Sequence, residues 1–159
     1  MNNLELKQVR EYFSALAEAE TSVGEFYALC AEKWPEEALW KHLAAEELGH
    51  GETVRGMLAA VEASPEDFSI IRPLTPVPLK LFIEGRRAET EKVRSGEYAK
   101  LNAMAVSCDI EQSIIEARYD KLLKSSNAAY NRAVALLVED TRRHRSGFVS
   151  RLATLGIIK

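Results

Sequence analysis

Leu6, Val9, Phe13, Leu16, Glu20, Val23, Tyr27 and Cys30 follow one another at alternating intervals of three and four residues. That spacing sets all of them on one stripe of an α-helix, the seam that a helix in a bundle turns toward its neighbours. Every member is apolar or aromatic except Glu20. A carboxylate in an apolar seam is expensive unless something pairs with it or binds it.

The rest of the chain repeats the pattern. The first helix is expected from about Leu4 to Lys33 and ends at Trp34-Pro35, because proline disfavours the helical state in the residue before it. Pro35 can itself open the next helix. That helix extends to about Ala63, with seam Trp40, Leu43, Glu47, His50, Val54, Met57 and Val61. Ser64-Pro65, Arg72-Pro73 and Thr75-Pro76-Val77-Pro78 hold four of the five prolines, so this stretch reads as an irregular crossover. A shorter helix follows, about Leu79 to Arg94, closed near Ser95-Gly96. A third long helix, about Glu97 to Lys124, carries Leu101, Met104, Cys108, Glu111, Ile115 and Leu122 on its seam. Ser125-Ser126-Asn127 breaks it and offers an N-cap. The last helix runs to about Leu155, with seam Tyr130, Val134, Leu137, Thr141, His144, Phe148 and Leu152, and Gly156 closes it. The expectation is a single all-α domain, an antiparallel four-helix bundle. Its two hairpins, residues 4–63 and 97–155, are joined by a long proline-containing crossover with a short helix over 64–96.

Composition narrows the function classes. With 159 residues, 47% hydrophobic and 28% charged, the chain has the make-up of one soluble globular domain. Net charge is −3 and the two signs are interspersed, so nothing electrostatic points to nucleic acid or an anionic membrane as partner. The basic cluster Arg142-Arg143-His144-Arg145 is short and reads mostly as the outer face of a helix. No apolar run approaches the ~20 residues of a membrane span, and Met1-Asn-Asn-Leu-Glu shows no signal peptide. A cytoplasmic location is the expectation. Cys30 and Cys108 lie far apart on apolar faces and read as buried free thiols.

The residues that interrupt the seams carry the chemistry. Glu47 and His50 are three apart, hence one turn apart on one face. Glu20 stands 15 residues before Pro35 and His50 stands 15 after it, so each lies ~22 Å from the turn, facing the other. Counting about Ser126 brings Glu111, Thr141 and His144 to a similar level. The hairpins also look duplicated: Glu20-x-Ser22-x-x-Glu25 matches Glu111-x-Ser113-x-x-Glu116, and Glu47-x-x-His50 matches Thr141-x-x-His144. Three glutamates and two histidines in one mid-bundle layer make a metal site the natural way to satisfy them. Carboxylate with imidazole suits iron, manganese or zinc.

On these residues the chain resembles the ferritin-like di-iron carboxylate proteins, the rubrerythrin branch above all. The resemblance covers Glu20 with Tyr27, Glu47-x-x-His50, Glu111 and His144, on all four long helices. It implies two irons bridged by glutamates, and either reduction of peroxide or oxidation of ferrous iron by oxygen or peroxide. It further implies Glu20 and Glu111 as terminal carboxylates, Glu47 as a bridge, His50 and His144 as nitrogen ligands, Tyr27 as a group orienting them, and a homodimer.

The sequence departs from that pattern in three places. Thr141 replaces the glutamate of the second Glu-x-x-His, leaving Asp140, four before His144, as the substitute. Ile114 stands where rubrerythrins carry an extra glutamate. Paired cysteines for a rubredoxin-type iron–sulfur site are missing, so electrons would come from a separate protein. Simpler readings stand beside these: Glu25, Glu116 and His42 as solvated surface groups, Met57 and Met104 as packing, and Tyr27 and Tyr119 as core aromatics. Thr141 can bond the preceding turn. The alternative function is a bundle with a degenerate site that binds one metal ion or none and acts as a structural or interaction module.

Overall fold

The computed structural model describes residues 1–117 and 119–157, with side chains for 1–114 and 120–157. Among these residues it holds five helices, α1 (Asn3–Lys33), α2 (Ala38–Ala63), α3 (Val77–Ser95), α4 (Lys100–Ala117) and α5 (Ala128–Thr154). Two three-residue strands, β1 (Phe68–Ile70) and β2 (Leu123–Ser125), and two short 3-10 helices, Pro65–Asp67 and Tyr119–Lys121, accompany these five α-helices. The protein is mainly helical and bundle-like.

The start of α1 is set locally. Asn2 accepts from the backbone N–H of Glu5 while the Glu5 carboxylate accepts from the N–H of Asn2, a reciprocal cap. Pro35, expected to open α2, lies in the turn instead. The backbone N–H of Glu37 closes that turn onto the Trp34 carbonyl at 3.0 Å, and α2 begins at Ala38. Glu37 itself is held by Arg151 of α5 at 2.8 Å.

α1 and α2 run antiparallel, with Arg10 against Glu62, Thr21 against Gly51 and Gly24 against Leu48. Two glycines let these helices approach closely. A Cβ on Gly51 would stand 3.0 Å from the Thr21 hydroxyl and 3.3 Å from the Ala17 carbonyl; one on Gly24 would stand 3.1 Å from Leu48 Cγ. The pairs Glu37–Arg151, Glu46–Arg143 and Glu47–His144 place α5 antiparallel to α2. α4 packs on α5 and α1, and α3 lies along α1. A continuous core results, with Phe13, Phe26, Trp40, Met104 and Phe148 each fully enclosed.

The third long helix is shorter than its seam suggests. α4 ends at Ala117 rather than near Lys124, and residues 123–125 form β2, antiparallel to β1 with Phe68 opposite Ser125. The reason is that the crossover supplies a partner. Phe68 and Leu123 point inward while Ser69 and Lys124 point out, so a two-residue period replaces the helical one. Leu122 is still buried, as its seam position required, but from outside the helix. Asn127 caps α5 by accepting from the N–H of Tyr130. Among the described residues no helix is long and apolar enough to cross a membrane.

Candidate metal centre

Glu47 is the hub. Its Oε2 is 3.0 Å from Nδ1 of His50 on the same helix, and its Oε1 is 2.6 Å from Nδ1 of His144 on α5. Each oxygen therefore faces a different imidazole. The two rings stack with centroids 5.4 Å apart and planes 16° from parallel. One ligating atom from each of Glu47, His50 and His144 lies within 4.8 Å of the other two, and all three side chains are buried.

Glu111 reaches in from α4, its Oε2 3.7 Å from His144 Nδ1. Its other oxygen accepts a 2.6 Å hydrogen bond from the Tyr27 hydroxyl. Oε2 is buried without a hydrogen-bond partner among the described residues. Glu20, on α1 and 1% exposed, is near enough to act on the charge of both His50 and Glu111. Tyr27 is tied down in turn: its hydroxyl also faces the Ser107 carbonyl at 3.4 Å, and the Ser107 hydroxyl accepts from the Trp40 indole N–H at 2.9 Å. One buried chain thus links α1, α2 and α4 beside the carboxylates.

Asp140 does not join this inner group. It lies at the outer edge, half-buried, with Oδ2 3.3 Å from Nε2 of His50. Glu46, which the seam analysis passed over, takes the matching place on the other ring, Oε2 3.0 Å from Nε2 of His144. Arg143 clamps the pair, donating to Glu46 at 2.9 Å and to Asp140 at 2.7 Å. The counterparts are Glu46 with Asp140, each four residues before a histidine, and Glu47 with Thr141. That register was the signal for Glu46. Asp140 meets the outer nitrogen of His50, whereas the Glu47 oxygens meet the Nδ1 atoms of the two rings. Thr141 is buried, and its hydroxyl donates to the Leu137 carbonyl at 2.7 Å.

The electrostatics follow from burial set against pairing. Burial pushes the Glu47 carboxyl up, but hydrogen bonds from His144 and His50 together with their charges outweigh it, and it is held down to about 2. Burial works the other way on His50, yet Glu47, by hydrogen bond and charge, with Glu20 and Asp140, raises it to about 9. Glu111 is driven well above the usual carboxylate range by burial and by the charges of Glu47 and Glu20, while the Tyr27 hydrogen bond opposes this. The Tyr27 hydroxyl is also pushed well up, first by burial and then by Glu111 and Glu47.

A cation fits this environment. Burial, with the charges of Glu47 and Glu20, disfavours the ionised form of Glu111, and its Oε2 is buried with no hydrogen-bond partner among the described residues. A set of imidazole nitrogens and carboxylate oxygens is the donor chemistry of iron, manganese and zinc.

The remaining residues take plainer places. His42 is exposed, 3.4 Å from Glu46, and Glu25 is exposed. Met57 and Met104 are buried in the core. Cys30 is buried, with burial pushing its thiol up to about 12; Cys108 is only half-buried, and both are free. The side chains of Glu116 and Tyr119 lie outside the described residues. Comparison of the chain with protein-family models, with curated proteins and with solved structures found no match.

Proposed function

We propose that this chain is a ferritin-like metal-binding bundle of the rubrerythrin type, which holds two iron ions and uses them to reduce peroxide or to oxidise ferrous iron. The observation that carries the reading is the divided Glu47 carboxylate, with one oxygen toward His50 and the other toward His144. Glu47 would then be shared between two ions. Glu20 and His50 would hold one, Glu111 and His144 the other. Iron so bound supplies electrons and Lewis acidity for peroxide or oxygen chemistry.

The protein's own groups prepare the site. Glu46 and Asp140 face the outer ring nitrogens and Arg143 ties both, so each imidazole keeps its inner nitrogen on the centre. Tyr27 fixes one oxygen of Glu111 and leaves the other inward. Burial keeps bulk water from the layer. A cation held by Nδ1 of His50 would displace the proton from that nitrogen, so metal uptake would release protons. Electrons would come from a separate donor, and a homodimer is part of the same reading.

Thr141 favours a second reading. Its hydroxyl is engaged with its own helix and offers no carboxylate, so the centre has one bridging side chain and could hold a single ion.

The test is metal content after anaerobic loading with Fe(II), followed by peroxide consumption with a chemical reductant. Two irons per chain and turnover support the first reading; one iron without turnover supports the second. In the double variant Glu47→Ala/His50→Ala, uptake should collapse while helix content by circular dichroism survives. If the natural chain binds neither Fe(II) nor Mn(II) above background, the catalytic reading fails and only a structural or interaction module remains.

A further inference from the structure

The seam positions next to the centre, Leu16 and Val23 on α1, Val54 on α2 and Phe148 on α5, are fully buried apolar side chains. A metal ion stripped of water cannot cross such packing without a large cost. Arg86 of α3 is close enough to act on the Tyr27 hydroxyl, and its charge repels a cation from that side. Between α2 and α5, by contrast, polar groups lead from the centre to solvent. Side-chain exposure climbs from 8% at His50 through 26% at Glu46 and 31% at Asp140 to 64% at His42. His42 Nε2 lies 3.4 Å from Glu46 Oε2, and Glu46 and Asp140 each face the outer nitrogen of one imidazole of the centre. A cationic side chain lies across this path. Arg143, exposed, donates to Glu46 at 2.9 and 3.3 Å and to Asp140 at 2.7 Å.

We propose that Arg143 is a gate on the route to the centre: it swings out to solvent and leaves Glu46 and Asp140 to accept a divalent cation, which His50 and His144 hand inward to Glu47. The proposal rests on the metal-binding reading above and adds to it a path and the residue that controls it. The swing is within reach because exposed ion pairs are weak and exposed side chains change rotamer quickly. The closed position is selective. The guanidinium cancels one of the two carboxylate charges, so a monovalent ion that replaced it would gain nothing, whereas a divalent ion cancels both. The gate also explains why a fork-shaped donor stands here, since it spans two carboxylates on different helices, Glu46 on α2 and Asp140 on α5.

Stopped-flow mixing of the metal-free full chain with Co(II), followed by its visible absorption, reads uptake; mixing the loaded chain with excess chelator reads release. A gate is crossed in both directions. Arg143→Gln should therefore speed uptake and release alike, each by about tenfold, the worth of two exposed ion pairs, and leave Kd within about threefold. Arg143→Lys keeps the charge and loses the fork, so its rates should fall between those of Arg143→Gln and the parent. Arg142→Gln removes the same charge from an exposed neighbour and should change either rate by less than about twofold. Glu46→Gln/Asp140→Asn frees Arg143 but removes the carboxylates behind it, and uptake should slow. Unchanged uptake in Arg143→Gln would overturn the gate, as would equal acceleration in Arg142→Gln or undiminished uptake in the double variant. Faster release alone, with Kd weakened to match, would make Arg143 a mere support for the imidazoles and overturn the gate as well. If the unaltered chain takes up no Co(II), the metal-binding reading itself falls; if it does so at a rate indifferent to Arg143, only the gate falls.

Discussion

Replacing Glu47 by glutamine keeps the shape of the side chain and removes its charge, which isolates what the carboxylate does. In the metal-free protein Glu47 lies between two histidines, 1% exposed, and its carboxyl is held from 4.5 down to about 2. At ~1.4 kcal/mol for each tenfold change in proton affinity, that fall corresponds to about 3 kcal/mol of folding stability at neutral pH. The rise of His50 to about 9 reports part of the same interaction from the other side, so the two do not add. About 3 kcal/mol is at the lower end of the ~3–5 kcal/mol lost when one partner of a buried ion pair is removed. For a chain of this size it amounts to ~6–12 °C in Tm. The assay is urea unfolding at pH 7 with chelator present, followed by equilibrium dialysis against Mn(II). Glu47→Gln should lose the stated stability and nearly all metal uptake. A variant that matches the parent within ~0.5 kcal/mol, which is ordinary for surface substitutions, would refute the central role assigned to this carboxylate.

Three further outcomes are expected. In the metal-free protein the contribution of Glu47 is full above its ordinary 4.5 and fades as pH falls toward about 2, whereas that of His50 is full below its ordinary 6.5 and is lost as pH rises through about 9. Glu111, held high, subtracts stability as pH climbs above its ordinary 4.5, so the urea midpoint should peak near pH ~5 and decline more steeply above 6.5; a midpoint still rising from pH ~7 to ~9 contradicts this. Thr141→Glu adds a carboxylate to a layer already rich in them, so it should lower Tm without metal and raise it with Mn(II); a Tm indifferent to Mn(II) argues against Thr141 facing the centre. Gly51→Val should cost ~1–3 kcal/mol, because the Ala17 carbonyl 3.3 Å from the new Cβ is backbone and cannot step aside; thermal unfolding reads it directly.

What the amino-acid sequence determines by itself is the helical period and the residues that violate it. The seam through Leu16, Glu20, Val23 and Tyr27 has one solution, a buried helix face. The breaks at Trp34-Pro35 and Asn127 are set by local backbone chemistry, which needs no tertiary partner. Glu47, His50, Glu111 and His144 were legible for the same reason, since a polar side chain in an apolar seam is costly wherever the helix docks. The end of α4 was not legible. Whether residues 123–125 continue a helix or pair with 68–70 depends on a strand more than fifty residues away, and both outcomes bury Leu122. The roles of Asp140 and Glu46 were equally hidden. Four residues before a histidine is almost the same helix face, and only the crossing of α2 and α5 decides which carboxylate meets an inner ring nitrogen and which meets an outer one. Periodicity assigns a side chain to a face; the approach of a second helix assigns it to an atom.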